Sequence, residues 1–441
     1  EFYWRTLALG RAGNLIFAVL IFFVVYRWAM LLYGNRAALA ACAVVVCCPN
    51  VIAHASLATL DIASAATILL TAFFLWRWSE QQEWKHALAA GAAFGLALLC
   101  KFSAIGMVPP LAAAYFVLGR RKGGEWAQGL ARIGAACALA GLIVWAGYRF
   151  EARPLVPPGE HYVSHFRPEQ GATGLPRLLA RVVEHRTMPA PRFWQGLIDT
   201  LSHNQRGHPA YLLGRHSERG WWYYFPVAVA VKTTLPLLLL AGIGLALWRS
   251  RGAPYVIAAV AVVMAISMAG SVNIGIRHVL VIYPLLAILA AAAFAEGRPR
   301  SLKLAAAILL GWHVAESLIA HPDYLPYFNQ LARGREERFL ADSNLDWGQD
   351  LARLGSRAQE RGIENFQLSY FGSTHPGKMG VPHQSAHCCR PESGWIAVSV
   401  NHVVGIAVHP GWRPSGRPDA RVGKSIWLYY IPPSQTTTNE R

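Results

Sequence analysis

Charge is what this sequence has least of. Asp, Glu, Lys and Arg make up 15% of its 441 residues, where a soluble globular protein carries about a quarter. With hydrophobic residues at 54%, that shortage excludes an ordinary soluble domain. A disulfide framework is also lacking. Of the seven cysteines, Cys42, Cys47, Cys48, Cys100 and Cys137 lie in apolar runs, where cysteine acts as a small hydrophobe. Only Cys388 and Cys389, with His383 and His387 nearby, stand in a polar segment. Their spacing matches no standard zinc pattern, so no metal site is expected there. No internal repeat is visible, and no signal segment precedes the first apolar run.

What the sequence has instead is about ten apolar runs of roughly 17–25 residues, the length that crosses a hydrocarbon core as a helix. They fall near 12–33, 37–57, 60–79, 86–100, 102–118, 130–147, 222–247, 254–271, 278–296 and 302–319. The expectation is an all-α polytopic membrane protein. Residues 86–118 must form two short spans, because one helix of that length would measure about 50 Å against a core of about 30 Å. Pro109 and Pro110 further disfavour an unbroken helix.

The net charge of +17 would suit nucleic acid, but its placement argues for membrane topology. Arg120, Arg121 and Lys122, then Arg249 and Arg251, then Arg298, Arg300 and Lys303 cluster in short loops, the mark of the cytoplasmic side. Alternating from there puts Arg77 and Lys85 inside. It puts His54, Asp61, Lys101, Arg277 and His278 outside, with segment 150–221 and everything after residue 320. Glu1 also falls outside, so at least one upstream helix with its outer loop is expected.

The expected division is membrane helices over 1–149, a large outer loop over 150–221, further helices over 222–320, and an outer α/β domain over 321–441. In the loop, RFWQGLIDTL (Arg192 to Leu201) has helical spacing and could lie flat on the membrane. WWYYFP (Trp221 to Pro226) reads as an aromatic belt re-entering the bilayer. Beyond residue 320, DLARLGSRAQERG reads as an amphipathic helix and NFQLSYFG, GWIAVSVNHVV and KSIWLYYIP as strands. PSQTTTNER reads as a disordered tail.

The ionisable residues in and beside these runs carry whatever chemistry there is. Asp61 could begin a helix, where a carboxylate favours the dipole, or hold a cation and orient an acceptor hydroxyl. His54 adds a second polar group at the same turn. Lys101 could snorkel to headgroups or act as a point-charge phosphate ligand. Lys232, in VAVAVKTTLP, falls near mid-bilayer, where a charge needs a wet cavity or a partner. Arg277, beside His278, suits bidentate phosphate recognition or a headgroup contact. ADSNLDWGQDL (Ala341 to Leu351) alternates like a calcium loop. It carries Trp347 where glycine is needed and Arg353 where glutamate belongs, so a turn capping the next helix is the better account. Together these groups suit an amphiphile with an anionic headgroup, handled by an enzyme or by a transporter.

PNVIAHASLATLDIASA, GLALLCKFSAI, YLLGRHSERGWWYYFPVAVAVKTTLP, NIGIRHVLVIYP and HPDYLPYFNQLARG with ADSNLDWGQDL resemble bacterial glycosyltransferases of the C-type membrane fold. The branch is the one akin to protein O-mannosyltransferases and lipid A aminoarabinose transferases. The resemblance covers nearly the whole chain. It implies a polyprenyl-phosphate-linked sugar donor, an active site on the extracytoplasmic face of the bacterial inner membrane, and a protein, lipid or cell-wall polysaccharide acceptor. It implies that Asp61 is the acid of the second outer turn, that Lys101 lies near the donor phosphate, and that Arg277 and His278 form the basic outer turn. Lys232 is a further phosphate candidate and His54 a further site candidate. The family's principal acid belongs to a first outer loop, expected upstream of Glu1. Whether a divalent cation takes part is left open. Alternatives from other classes are a transporter or flippase for lipid-linked sugars and a non-catalytic scaffold.

Overall fold

Every apolar run is helical, and two of them break in the middle. The computed structural model describes residues 2–119, 126–156, 174–249, 252–385, 393–406 and 416–432. Arg120, Arg121, Lys122, Arg251, His387, Cys388, Cys389 and the tail from 433 lie outside the described residues.

The helices before the large loop are α1 (Phe2–Tyr33), α2 (Asn35–Val46), α3 (Pro49–Ala55), α4 (Asp61–Gln81), α5 (Trp84–Cys100), α6 (Ser103–Gly119) and α7 (Trp126–Gly147). The loop contains α8 (Gly174–Val183) and α9 (Pro191–Arg206), with short antiparallel pairs β1 (Ala152–Arg153) with β2 (Met188–Pro189) and β3 (Ala210–Leu212) with β4 (Arg215–Ser217). The bundle resumes with α10 (Tyr224–Lys232), α11 (Leu235–Ala246), α12 (Ala253–Met268), α13 (Ile282–Ala291) and α14 (Arg300–Ala320). Of these, α1, α4, α14 and Gln128–Gly147 of α7 are each long and apolar enough to cross a membrane, six spans if each bent pair counts as one.

α13 is apolar all round and every one of its residues is buried, as expected of a helix at the centre of a bundle. By contrast α1, α7 and α14 leave large apolar side chains uncovered, among them Ile16 at 71%, Leu130 at 68% and Ile319 at 69% exposure. Apolar surface on this scale belongs against lipid, so the chain is a membrane protein. α5 and α7 approach backbone to backbone: a Cβ on Gly91 would meet the Ala136 carbonyl at 2.4 Å and one on Gly95 the Ala140 carbonyl at 2.9 Å. This is small-residue packing, which serves where lipid supplies no hydrophobic drive.

The expected pair of helices over 86–118 is present with its break at Lys101–Phe102, as the two runs imply, and both prolines sit inside α6. Lys101 adopts an extended backbone that stops α5. The runs at 37–57 and 222–247 are not single helices. α2 and α3 meet at 64°, and α10 and α11 at 115°. Pro49 opens α3; Thr234, whose hydroxyl accepts from Leu237 N–H, starts α11. The two breaks touch, since Asn50 Nδ2 donates to the Lys232 carbonyl at 2.7 Å.

One end of the bundle gathers basic loops. Arg249 and Arg298 line one shallow recess, and Tyr255 at the start of α12 donates to Glu80 near the end of α4 at 2.9 Å. The opposite end holds the 55–61, 101–103 and 271–278 turns, the large loop and the C-terminal region. There, α15 (Glu336–Phe339) leads to α16 (Leu351–Arg361), which packs on a five-stranded sheet ordered β6 (His383–Ser385), β5 (Phe366–Ser369), β7 (Gly394–Ser399), β9 (Ile426–Ile431), β8 (Ala420–Val422). β5 runs parallel to β6 and β7, whereas β9 is antiparallel to β7 and β8. The strand expected through Val404 ends at Ser399, whose hydroxyl accepts from Asn401 N–H and caps α17 (Val400–Val403).

The expected aromatic belt is mostly internal. Trp222 is exposed, but Tyr224 and Phe225 are buried against the bundle. Asp350 does not cap α16 either. Its carboxylate accepts from the Lys424 and Ser425 backbone N–H groups and the Ser425 hydroxyl, fastening the helix to the sheet.

Candidate functional site

The turn after α3 and the break after α5 are brought together by one ion pair. Asp61 is the first residue of α4, with its side chain 5% exposed; Lys101, 25% exposed, donates to its Oδ1 at 2.8 Å. Forty residues of sequence separate the two, and antiparallel packing of α4 on α5 closes the gap. The turn carrying Asp61 is itself held from α1, where Asn14 Nδ2 donates to the Leu57 carbonyl and, at 2.9 Å, to that of Thr59.

Arg277 and His278 lie in a one-turn 3-10 helix, Ile276–Val279, between α12 and α13. Gly275 before it has φ +158°, and a Cβ there would meet Ser343 Oγ at 2.4 Å, so glycine is required for the close approach. Electrostatic interaction links Asp61 with Lys101, His54 and Arg277, and links His278 with Lys101, Arg277 and Asp61. With the Asp61–Lys101 ion pair, these interactions bring His54, Asp61, Lys101, Arg277 and His278 into one neighbourhood, and His54 also feels Lys232. Within it, His54 Nδ1, Arg277 Nε and His278 Nε2 are buried and make no hydrogen bond to protein. Buried polar atoms are ordinarily partnered, and these three border a site with two cations.

Lys232 is the exception and a correction to its expected place. Its ammonium donates to the carbonyls of Leu325 and Asn344, both at 2.7 Å, and lies 4.6 Å from the Phe328 ring centroid. It is 1% exposed. Two of its three donors are spent on backbone, so it clamps the α10 break to the C-terminal segment and is not free for a phosphate.

α9 forms a roof over the cluster. Its Phe193 packs on Phe102 with ring centroids 5.3 Å apart, and Asn204 Oδ1 accepts from Ser271 N–H at 3.0 Å. The amphipathic helix of the large loop thus spans from the Lys101 turn to the Arg277 turn. His208, just past it, interacts electrostatically with His278.

Sequence reasoning missed Trp347. Its ring lies 4.7 Å from the Arg277 guanidinium carbon and 6.2 Å, edge to face, from the His54 ring. By sequence it is only the residue that spoils a calcium loop. The available signal was its setting within the polar run ADSNLDWGQDL. Among the described residues no three His, Cys, Asp or Glu side chains gather as metal ligands; Asp61 faces an ammonium.

Residues 7–148 match the family described as dolichyl-phosphate-mannose-protein mannosyltransferase. The fold is similar to that of ArnT from Cupriavidus metallidurans, solved bound to undecaprenyl phosphate. The likeness has a TM-score of 0.50 at 13% identity and covers 95% of this chain and 83% of that one. The apo form of the same protein matches at TM-score 0.49 and 14% identity, over 95% and 82% of the two chains. No curated protein sequence matches this chain. The amino-terminal third is thus mannosyltransferase-like in sequence, and the chain as a whole is ArnT-like in fold.

Proposed function

We propose that this protein is a membrane glycosyltransferase that moves a sugar from a polyprenyl-phosphate carrier to an acceptor hydroxyl on the extracytoplasmic face of a bacterial inner membrane. The observation that carries the reading is the part-buried Asp61–Lys101 pair with Arg277 and two partly unpartnered histidines beside it. In the transfer, the acceptor oxygen attacks the anomeric carbon, the bond from that carbon to the phosphate oxygen breaks, and polyprenyl phosphate leaves with the electron pair. Lys101 and Arg277 would stabilise the charge that grows on the phosphate, with His278 as a third donor; fixed donors aimed at developing charge are the strongest single aid to such a reaction.

Asp61 has one oxygen on Lys101. A carboxylate paired with an ammonium is a poor base, so its role is to hold Lys101 and to orient the acceptor hydroxyl with its second oxygen. The acceptor's proton passes to a base other than this paired carboxylate. His54 lines the same turn. Lys232 acts at a distance, by fixing the α10 break. The acceptor is a protein, lipid or wall polysaccharide.

The two broken helices favour one other reading, a carrier for lipid-linked sugars, although their bends of 64° and 115° are unequal. Purified protein in liposomes with labelled polyprenyl-phosphate sugars separates the two. Transfer of label to acceptor, reduced about 100-fold or more in Asp61→Asn, is the expected result. Intact labelled lipid that only changes leaflet would establish the carrier.

A further inference from the structure

Arg277 has no carboxylate partner among the described residues, and its guanidinium is oriented instead by the face of an indole. The difference matters for an anion site. A carboxylate would orient the group but neutralise it and occupy its donors. An aromatic face attracts the cation through its quadrupole and leaves the in-plane N–H donors and the charge available. Lys101, already paired with Asp61, contrasts with it.

The indole can do this only if it is itself fixed, and residues 341–349 are hydrogen-bonded on both sides. Towards the Arg277 turn, Ser343 Oγ donates to the Ile274 carbonyl at 2.6 Å, and Asn344 Oδ1 accepts from Ile276 N–H at 2.9 Å. Asn344 Nδ2 donates to Tyr224 Oη at 2.9 Å and its carbonyl receives Lys232. Towards the sheet, Ser399 donates to the Asp346 carboxylate, and Asp342 N–H donates to Asn401 Oδ1 at 2.8 Å. The Trp347 backbone N–H donates to Gln349 Oε1 at 2.8 Å.

We propose that Trp347 is a positioning residue that holds Arg277 over its indole face, without a paired carboxylate on its donors, for the phosphate of the lipid carrier, so that the C-terminal region completes the membrane site. This rests on the reading that Arg277 binds that phosphate. Binding of undecaprenyl phosphate to the full chain in nanodiscs tests it, with wild type, Arg277→Ala, Trp347→Leu, Trp347→Phe and the Arg277→Ala/Trp347→Leu double variant. The expected result is a loss of about 10-fold in Trp347→Leu and less than about 3-fold in Trp347→Phe. In the Arg277→Ala background, adding Trp347→Leu should cost less than about 2-fold. Site-specific replacement of Trp347 by ring-fluorinated tryptophans, which keep the shape but drain the π-face, should weaken binding in step with fluorine count. A loss that is the same with and without Arg277, or that ignores fluorination, reduces Trp347 to packing and overturns the proposal. Wild type that does not bind undecaprenyl phosphate at all overturns the functional reading itself, and the proposal falls with it. Wild type that binds while the Trp347 series is flat overturns the proposal alone.

Discussion

Lys101 and Lys232 each stand where an apolar helix stops, and by sequence they are the same kind of residue. Their surroundings make them opposites. Lys101 reaches a carboxylate at the edge of a polar cluster and keeps a quarter of its side chain exposed. Lys232 is sealed, its ammonium satisfied by two backbone carbonyls and an aromatic face. A lysine amid hydrocarbon must find oxygen, but which oxygen decides its use. Carbonyls of a folded segment make it a strut, whereas a carboxylate at a solvated turn leaves room for a second anion.

Exchanging each lysine for methionine gives the largest effects and separates the two roles. Lys101→Met should lower glycosyl transfer about 100-fold while the protein still folds. Lys232→Met leaves two buried carbonyls without a donor, which costs on the order of 1–3 kcal/mol each. It should therefore lower the apparent melting temperature in detergent more than Lys101→Met does, with transfer per folded molecule changed less than about 10-fold. Equal losses of transfer from both variants would erase the distinction.

An intermediate effect lies in the segment that Lys232 anchors. Burial pushes the Asp346 carboxyl up to about 6 from 3.8, against hydrogen bonds from Ser399 and Gly348 that lower it. A carboxyl whose pKa rises on folding holds its proton more tightly in the folded state. Its contribution is therefore full below about pH 4 and is lost as pH climbs through 6. The melting temperature of wild type relative to Asp346→Asn should fall between pH 4 and 7; a constant difference would show that Asp346 does not titrate with folding. The smallest effect belongs to a third lysine. Lys85 pairs with Glu83 at 2.6 Å, but with 69% and 46% exposure the pair is solvated. Lys85→Ala should leave the melting curve unchanged within its error.

The apolar runs were legible because roughly 20 consecutive apolar residues have few other fates. The breaks inside two of them were not, since hydropathy averages across a kink of two residues. Cys48–Pro49 and Thr234 with Pro236 were the local signs of new helix starts, and both lay in the sequence unread. The break at Lys101 was legible, since a lysine interrupts the apolar pair, whereas Pro109 and Pro110, which argue against one unbroken helix, sit inside α6 without stopping it. Within the sheet, the longer strands showed as apolar alternation, while β6 and β8, three residues each, are too short to carry a period. At the site, Asp61, Lys101, Arg277 and His278 drew attention as charge or polarity in an apolar setting. Trp347 drew none, since a tryptophan in a loop is chemically ordinary until a guanidinium is found on its face.

The sequence by itself determined that this chain lives in a membrane, which of its segments are helical, and which few ionisable groups must be answered for. Those properties follow from local composition and the cost of charge in hydrocarbon. Only the tertiary structure decided which cation meets which oxygen, that two broken helices touch at Asn50 and Lys232, and that a loop of the C-terminal region reaches Arg277. Those pairings join residues up to hundreds of positions apart, and they exist only because packing brings them within 3–5 Å.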